Sequence, residues 1–340
     1  DGAYRAAHKT HYTSVVYIAK SLMELMEAIE PLRSKAKYQQ QYDILYASVT
    51  KAMDELARNK TNIETEGELT FEDGMISCSA LQLAQFALLQ KDESAREKYK
   101  NVAIELIEQH ECLEQLMIPD ARMRSGSLRF WEAQYDVLMD NNFFNSPHGW
   151  SSWSTYAQYY LYLLTGEPEY LEKMFNGLDA AMQMIDLQNG DLRWAFMVNP
   201  HVKVTQINKN IDGATPLDFP GVHYHALEYP NSSYIMGEEY VNMVSDWFYA
   251  NANDNDVHEH FKCLEEVVLD KCFVLENNNG EFVAYNCTVE KDKNLIKIIP
   301  REKIVKNIHL NLKSDHKVVI EFTSGQKIKS IKKGMTWIKE

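Results

Sequence analysis

The hydrophobic period of this chain changes once, near residue 270, and that change bounds the folds open to it. Before it, apolar side chains recur every three to four residues, the spacing of helices that bury one face. After it they alternate, the spacing of strands with one side turned to a core. A chain of 340 residues with one such switch reads as a helical region, 1–270, followed by a β region, 271–340.

The helical pattern is explicit. Tyr12 to Ile29 sets Val15, Val16, Ala19, Leu22, Met23 and Met26 in one stripe, and Pro31 stops it. Tyr38 to Ala57 continues through Tyr42, Leu45, Tyr46, Val49, Met53 and Leu56. Met75 to Leu89 is apolar nearly all round, which predicts burial on most sides. Asp92 is placed to cap a helix from Glu93 to Met117. Ser151 to Leu164 is rich in Tyr and ends at Thr165-Gly166, a C-cap signal. Pro168 opens a helix to about Leu187, and Glu238 to Ala250 and His258 to Asp270 complete the set.

The strand pattern covers Lys271–Leu275, Glu281–Glu290, Leu295–Ile299, Val305–Leu312, Lys317–Phe322 and Gln326–Ile331. Asn278-Asn279-Gly280, Ser314-Asp315 and Ser324-Gly325 supply turns. These elements predict an all-antiparallel β-sandwich, with Lys at exposed positions guarding its edges.

The helices are joined by short links near Pro31–Lys35, Gln90–Asp92 and Gly166–Pro168. Long links run Asn59–Gly74, Ile118–Trp150 and Asn189–Ser233. Consecutive connections in an up-down helical array alternate between its two ends. With Leu128–Met139 read as an insertion, all the long links and Asp1–His11 share one end. That pattern predicts an α/α toroid, incomplete or of six hairpins, with a functional loop face. About four hairpins are countable, and the chain begins at Asp1 without Met, so a longer parent protein is expected.

Charge is divided unevenly. The chain carries 35 Lys plus Arg and 49 Asp plus Glu, a net of −14. From Phe261 onward the balance is 15 against 11, or +4; the first 260 residues hold 20 against 38, or −18. Such a field excludes nucleic-acid binding that relies on global charge. The apolar runs are too short to span a bilayer, and no secretory h-region is present. With 14 Gly and 9 Pro, low-complexity readings also fall away. The five Cys (Cys78, Cys112, Cys263, Cys272, Cys287) form no CxxC, and most of them read as buried thiols. The sequence spacing of the last three permits one disulfide without selecting a pair. No GxxxxGK[ST], GxGxxG after a strand, HExxH or GxSxG occurs. A helical-repeat scaffold would need sustained 34-residue self-similarity, which is absent.

The long links hold the chemistry. His8 and His11 lie in the first segment, and Glu72-Asp73-Gly74 leads into the apolar helix. The second long link, Ile118–Trp150, contains Arg122, Arg124, Arg129, Trp131, Glu132, Asp140, Asn141, Asn142, His148 and Trp150, with Trp153 just beyond. The last contains Asp191, Arg193, His201, His223, Tyr224, His225, Glu228 and Tyr229. Aromatic faces stack on sugar C–H surfaces, and Asn and Arg meet hydroxyls and carboxylates in directed geometry. The mixture suits a carbohydrate cleft.

The segments FEDGMISCSALQLAQFALL (71–89) and HGWSSWSTYAQYYLYLLTGE (148–167) resemble helical-toroid carbohydrate enzymes of Bacteroidota-type glycan-degrading systems. These include uronate-cleaving polysaccharide lyases and six-hairpin glycosidases such as glucuronidases. The resemblance covers roughly 1–270 and implies a toroid; many of the lyases add a C-terminal β-sandwich. It also implies a polysaccharide or oligosaccharide substrate and a secreted or periplasmic location.

Two chemistries follow. β-Elimination must neutralise the uronate carboxylate, remove the C5 proton and protonate the leaving oxygen. His148, His223, Tyr224 and His225 are the acid–base candidates, with Arg122, Arg124, Asn141 and Asn142 as anion binders. Arg129, Trp150, Trp153, Arg193, Tyr229 and His11 are further substrate-binding candidates. Hydrolysis needs two carboxyl groups, for which Glu72, Asp73, Glu132, Asp140, Asp191 and Glu228 are available. A non-catalytic glycan-binding protein would need the aromatics alone. No cofactor is required. His223 and His225, at i and i+2 of an extended segment, could hold a divalent cation with Glu228 or His201. An acidic helical region repels a polyuronate, so Arg and His in the cleft must act inside the screening length of about 8–10 Å.

Overall fold

A computed structural model describes residues 12–60, 73–111, 114, 127–128, 144–146, 151–181, 197–198, 255–293 and 295–340. The protein is mainly helical, with a C-terminal β region of two sheets. Two compact units are distinguished. One contains residues up to Thr165 and from Glu169 to His260; the other contains Gly166–Pro168 and everything from Phe261.

The helices are α1 (Tyr12–Ile29), α2 (Ala36–Asn59), α3 (Asp73–Leu89), α4 (Glu93–His110), α5 (Ser151–Thr165), α6 (Pro168–Ala181) and α7 (Asn255–Leu264). Pro31 sits in a 3-10 turn, Glu30–Leu32, that ends α1. Asp92 caps α4 as its position requires: Oδ1 accepts from the Ala95 N–H at 2.8 Å. Gly166 follows α5 at φ +73°, where a side chain would be strained. The helix expected from Glu93 to Met117 ends instead at His110.

α3 is the hub of the helical unit and packs against α1, α2, α4 and α5. All twelve residues of 76–87 are buried, as its unbroken apolar surface predicts. Phe86 meets Tyr46 of α2 at 5.7 Å and Tyr99 of α4 edge-on at 4.9 Å. Both tyrosines reach polar partners: Tyr46 donates to Gln90 Oε1 and Tyr99 to Asp54 Oδ1, each at 2.8 Å. Burial, then the bond to Asp54, pushes the Tyr99 phenol well up. Three short strands, β1 (Ser127–Leu128), β2 (Phe144–Ser146) and β3 (Met197–Val198), form a separate antiparallel sheet.

The β unit holds β4 (Lys271–Glu276), β5 (Phe282–Tyr285), β6 (Cys287–Asp292), β7 (Leu295–Pro300), β8 (Asn307–Leu312), β9 (His316–Phe322), β10 (Gly325–Ile331) and β11 (Gly334–Lys339). One sheet has the order β10-β9-β7-β6, the other β11-β8-β4-β5. Val274, Ile308 and Leu310 from one share a core with Ile296, Ile298, Val318 and Ile320 from the other, which makes the pair a sandwich.

Three sequence expectations change here. The sheets are not all-antiparallel: β4 pairs with β8, and β7 with β9, in parallel. Chain that crosses to the opposite sheet returns in the same direction, which alternation alone does not reveal. The strand expected over Glu281–Glu290 is broken at Asn286, whose φ is +60°. Asn tolerates this left-handed conformation better than most residues, and Asn286 Nδ2 anchors it by donating to the Lys271 carbonyl at 2.9 Å. β5 therefore pairs with β4 while β6 joins β7 in the other sheet. The strand β11 was not expected, although its Trp337 packs edge-on to His309 at 4.6 Å. The edge strand β10 carries Lys327 and Lys329, in keeping with edge protection.

Glu276, 4% exposed, clamps the turn by which the chain passes from β8 to β9, and so from one sheet to the other. The Lys313 and Ser314 N–H groups donate to Oε2 at 2.9 Å, and Ser314 Oγ donates to Oε1 at 2.8 Å. His316 Nε2 lies 2.9 Å from Oε1, so this nitrogen carries the proton donated to the carboxylate. Burial would raise the Glu276 pKa, but the donors from His316, Ser314 and Lys313 together lower it.

Two outcomes are expected. Asp92→Ala should lower stability by about 1 kcal/mol in urea unfolding. The depressed Glu276 pKa contributes stability above the ordinary carboxylate pKa of about 4.3, which is lost as pH falls through the folded value. Glu276→Gln should therefore destabilise the neutral protein and flatten the acid limb of its stability profile, measured by denaturation between about pH 3 and 7.

Candidate functional site

Full burial of α3 carries polar side chains inside with it. Ser77, Ser79, Gln82 and Gln85 on α3 are buried, as are Ser152, Ser154, Thr155 and Gln158 on α5. The two helices pack together, with α1 beside α3. Apolar side chains would be the cheaper filling for such an interior, because each buried polar group must find a partner. A buried polar patch in one sector of a helical unit is therefore the natural place to look for chemistry.

Lys20 is the most unusual member. It lies within the apolar stripe of α1 and is 0% exposed. Its ammonium pairs with Glu24, one turn on, whose side chain is 33% exposed. It also sits over the face of Tyr156 at 4.1 Å and near that of Tyr160 at 5.9 Å. Those rings stack 6.1 Å apart, as i and i+4 of α5 allow. A carboxylate at one end and two π-faces at the other thus stabilise a buried cation.

Two further groups belong to this interior. Ser152 Oγ is 2.5 Å from His260 Nδ1, linking the start of α5 to α7. Both residues are buried. Cys78 lies one turn before Gln82, whose Nε2 donates to the Cys78 carbonyl at 3.0 Å. Burial pushes the Cys78 thiol well above its usual range; Glu259 adds to the effect and Lys20 opposes it. The thiol is therefore protonated and inert as a nucleophile. A hydroxyl–imidazole pair, an ammonium and stacked phenols form a set that can hold protons and orient polar groups.

Most of the expected site residues lie outside the described residues. These are His11, Glu72, Arg122, Arg124, Arg129, Glu132, Asp140, Asn141, Asn142, His148, Trp150, Asp191, Arg193, His201, His223, Tyr224, His225, Glu228 and Tyr229. Asp73 is the first residue of α3, and Trp153 lies in α5, buried at 5% exposure. Sequence reasoning missed Lys20, Ser152, Tyr156, Tyr160 and His260. A lysine inside an apolar stripe was the available signal for Lys20, and the spacing of four through Ser152, Tyr156 and Tyr160 was the signal for α5. Among the described residues, no group of three or more His, Cys, Asp or Glu is placed to hold a metal ion. Among the same residues, no helix is long and apolar enough to cross a membrane.

No protein-family model matches the chain. No curated protein matches it either. Among solved structures, the chain is similar to one described as a polysaccharide lyase, with a TM-score of 0.38 and 20% identity. The likeness covers 47% of this chain and 23% of that one, so the match spans about a quarter of the solved chain's length.

The Lys20–Tyr156 contact is testable by a double-mutant cycle with Lys20→Met and Tyr156→Leu. A coupling of about 0.5–2 kcal/mol in unfolding free energy is expected. A coupling near zero would show that the ring face does not stabilise the buried ammonium.

Proposed function

We propose that this chain is the catalytic part of a carbohydrate-active enzyme that degrades an acidic, uronate-containing polysaccharide by β-elimination. The observation that carries the proposal is the joint architecture. Helices enclosing a buried polar, Tyr-rich interior are followed on the same chain by a two-sheet β-sandwich. This is the combination implied by the sequence resemblance carried by 71–89 and 148–167. In this reading the helices belong to an α/α toroid, incomplete or of six hairpins, spanning 1–270, and the protein acts in the periplasm or outside the cell.

Each proposed role answers a requirement of elimination. Arg122, Arg124, Asn141 and Asn142 neutralise the uronate carboxylate and stabilise the anion that forms when C5 loses its proton. His148, His223, Tyr224 and His225 supply the base and the acid. Trp150 and Tyr229 stack on sugar rings, while Arg129, Arg193 and His11 hold neighbouring charged groups; Trp153, buried in α5, packs among the helices instead. Glu72 and Asp73 are carboxylate candidates of the hydrolytic alternative. No cofactor is needed, because the donors supply the electrostatic stabilisation that a metal would otherwise give; a cation held by His223 and His225 would be an addition.

Elimination creates a conjugated 4,5-unsaturated uronate that absorbs in the near ultraviolet. Incubation with a panel of uronate-containing polysaccharides should raise that absorbance, and His148→Ala or Tyr224→Phe should reduce the rate by about 100-fold or more. Reducing sugar without new absorbance would overturn elimination in favour of hydrolysis through paired carboxylates. Glycan binding without turnover would mark a binding protein. Undiminished activity after exhaustive chelation, with no metal in the protein, would exclude a catalytic ion.

A further inference from the structure

Cys272 and Cys287 occupy opposite sides of the break at Asn286. Cys272 belongs to β4 in one sheet and Cys287 opens β6 in the other. Both side chains enter the shared core, at 0% and 2% exposure. Each thiol is directed at the backbone beside its counterpart. Cys272 Sγ donates to the Asn286 carbonyl at 3.0 Å, and Cys287 Sγ lies 4.0 Å from the Phe273 carbonyl. Cys263 is buried as well, but lies in α7, away from this reciprocal arrangement.

We infer that Cys272 and Cys287 are a disulfide-forming pair, a modification site that cross-links the two sheets of the sandwich. Sequence spacing left three pairings open among Cys263, Cys272 and Cys287; the β-sheet topology selects one. The oxidant is an external disulfide, of a small thiol or of a thiol oxidoreductase. One cysteine thiolate attacks it, breaking its S–S bond and releasing one thiol. The other cysteine attacks the mixed disulfide, forms the Cys272–Cys287 bond and releases the second thiol. The protons lost by the cysteines end on the released thiols, so two cysteines are oxidised as one disulfide is reduced. The Cys287 side chain, then burial, raise the Cys272 pKa, which makes exchange slow in the closed fold and faster during folding. The inference does not depend on the enzymatic reading, since it concerns the β unit alone.

The test uses the full chain. Reduced protein is equilibrated with oxidised glutathione, once in the native state and once during refolding from denaturant. Remaining thiols are then alkylated under denaturing conditions. Trypsin leaves both cysteines in one peptide, 272–291, and cleavage after Glu276 or Glu281 separates them unless they are bonded. The expected result is loss of two hydrogens from that peptide, with its fragments still joined. Melting of the oxidised β unit should rise by about 10 °C over the reduced form. Cys263→Ala should keep the link, and Cys287→Ala should abolish it. Full alkylation of Cys272 and Cys287 in both arms, or a link from either to another cysteine, would overturn the inference.

Discussion

A helix with no solvent-facing side sets the terms for the helical unit. α3 is enclosed by α1, α2, α4 and α5, so its polar side chains cannot turn to water. Each must be accommodated by a neighbour or by the helix backbone, as Gln82 does by donating to the Cys78 carbonyl. The neighbours respond in kind. α5 contributes hydroxyls and stacked phenol rings, and α1 contributes a buried ammonium. Polar chemistry inside this unit is thus a consequence of how thoroughly its central helix is covered. Close packing elsewhere, through Tyr46, Phe86 and Tyr99, holds the hub in place while that interior stays polar.

The β unit obeys a different constraint. Its strands are short, and its sheets are stabilised by one apolar core that neither could build alone. Two polar residues hold two of the crossings between the sheets: Asn286 accepts an uncommon backbone conformation, and Glu276 gathers four donors around one buried carboxylate. The net positive charge of this segment lies mainly on exposed lysines, so it has little bearing on the core. The acidity of the first 260 residues remains the stronger electrostatic fact for any anionic substrate.

Local signals were the legible part of the sequence. Pro31 and Asp92 each decide a conformation within a few residues, and the structure follows them. The all-round apolar surface of 75–89 likewise announced the burial of α3. Non-local choices were hidden. Nothing in the alternation of Leu295–Pro300 says that its neighbour is a parallel strand arriving from beyond β8. Nor does Asn286 look different from any other Asn until the two flanking strands are seen to part. Lys20 was legible as an oddity but not as a partner of Tyr156, since that pairing joins distant helices. For the loop residues, residue type and clustering in the sequence mark a region more readily than a geometry.

The break at Asn286 gives the sandwich an unusual mechanical character. A single residue separates β5 from β6, so the two sheets are laced together there by almost no slack chain. Force that slides one sheet over the other, or peels them apart, reaches this peptide before a flexible loop can absorb it. A shear between the sheets therefore loads this one backbone bend directly.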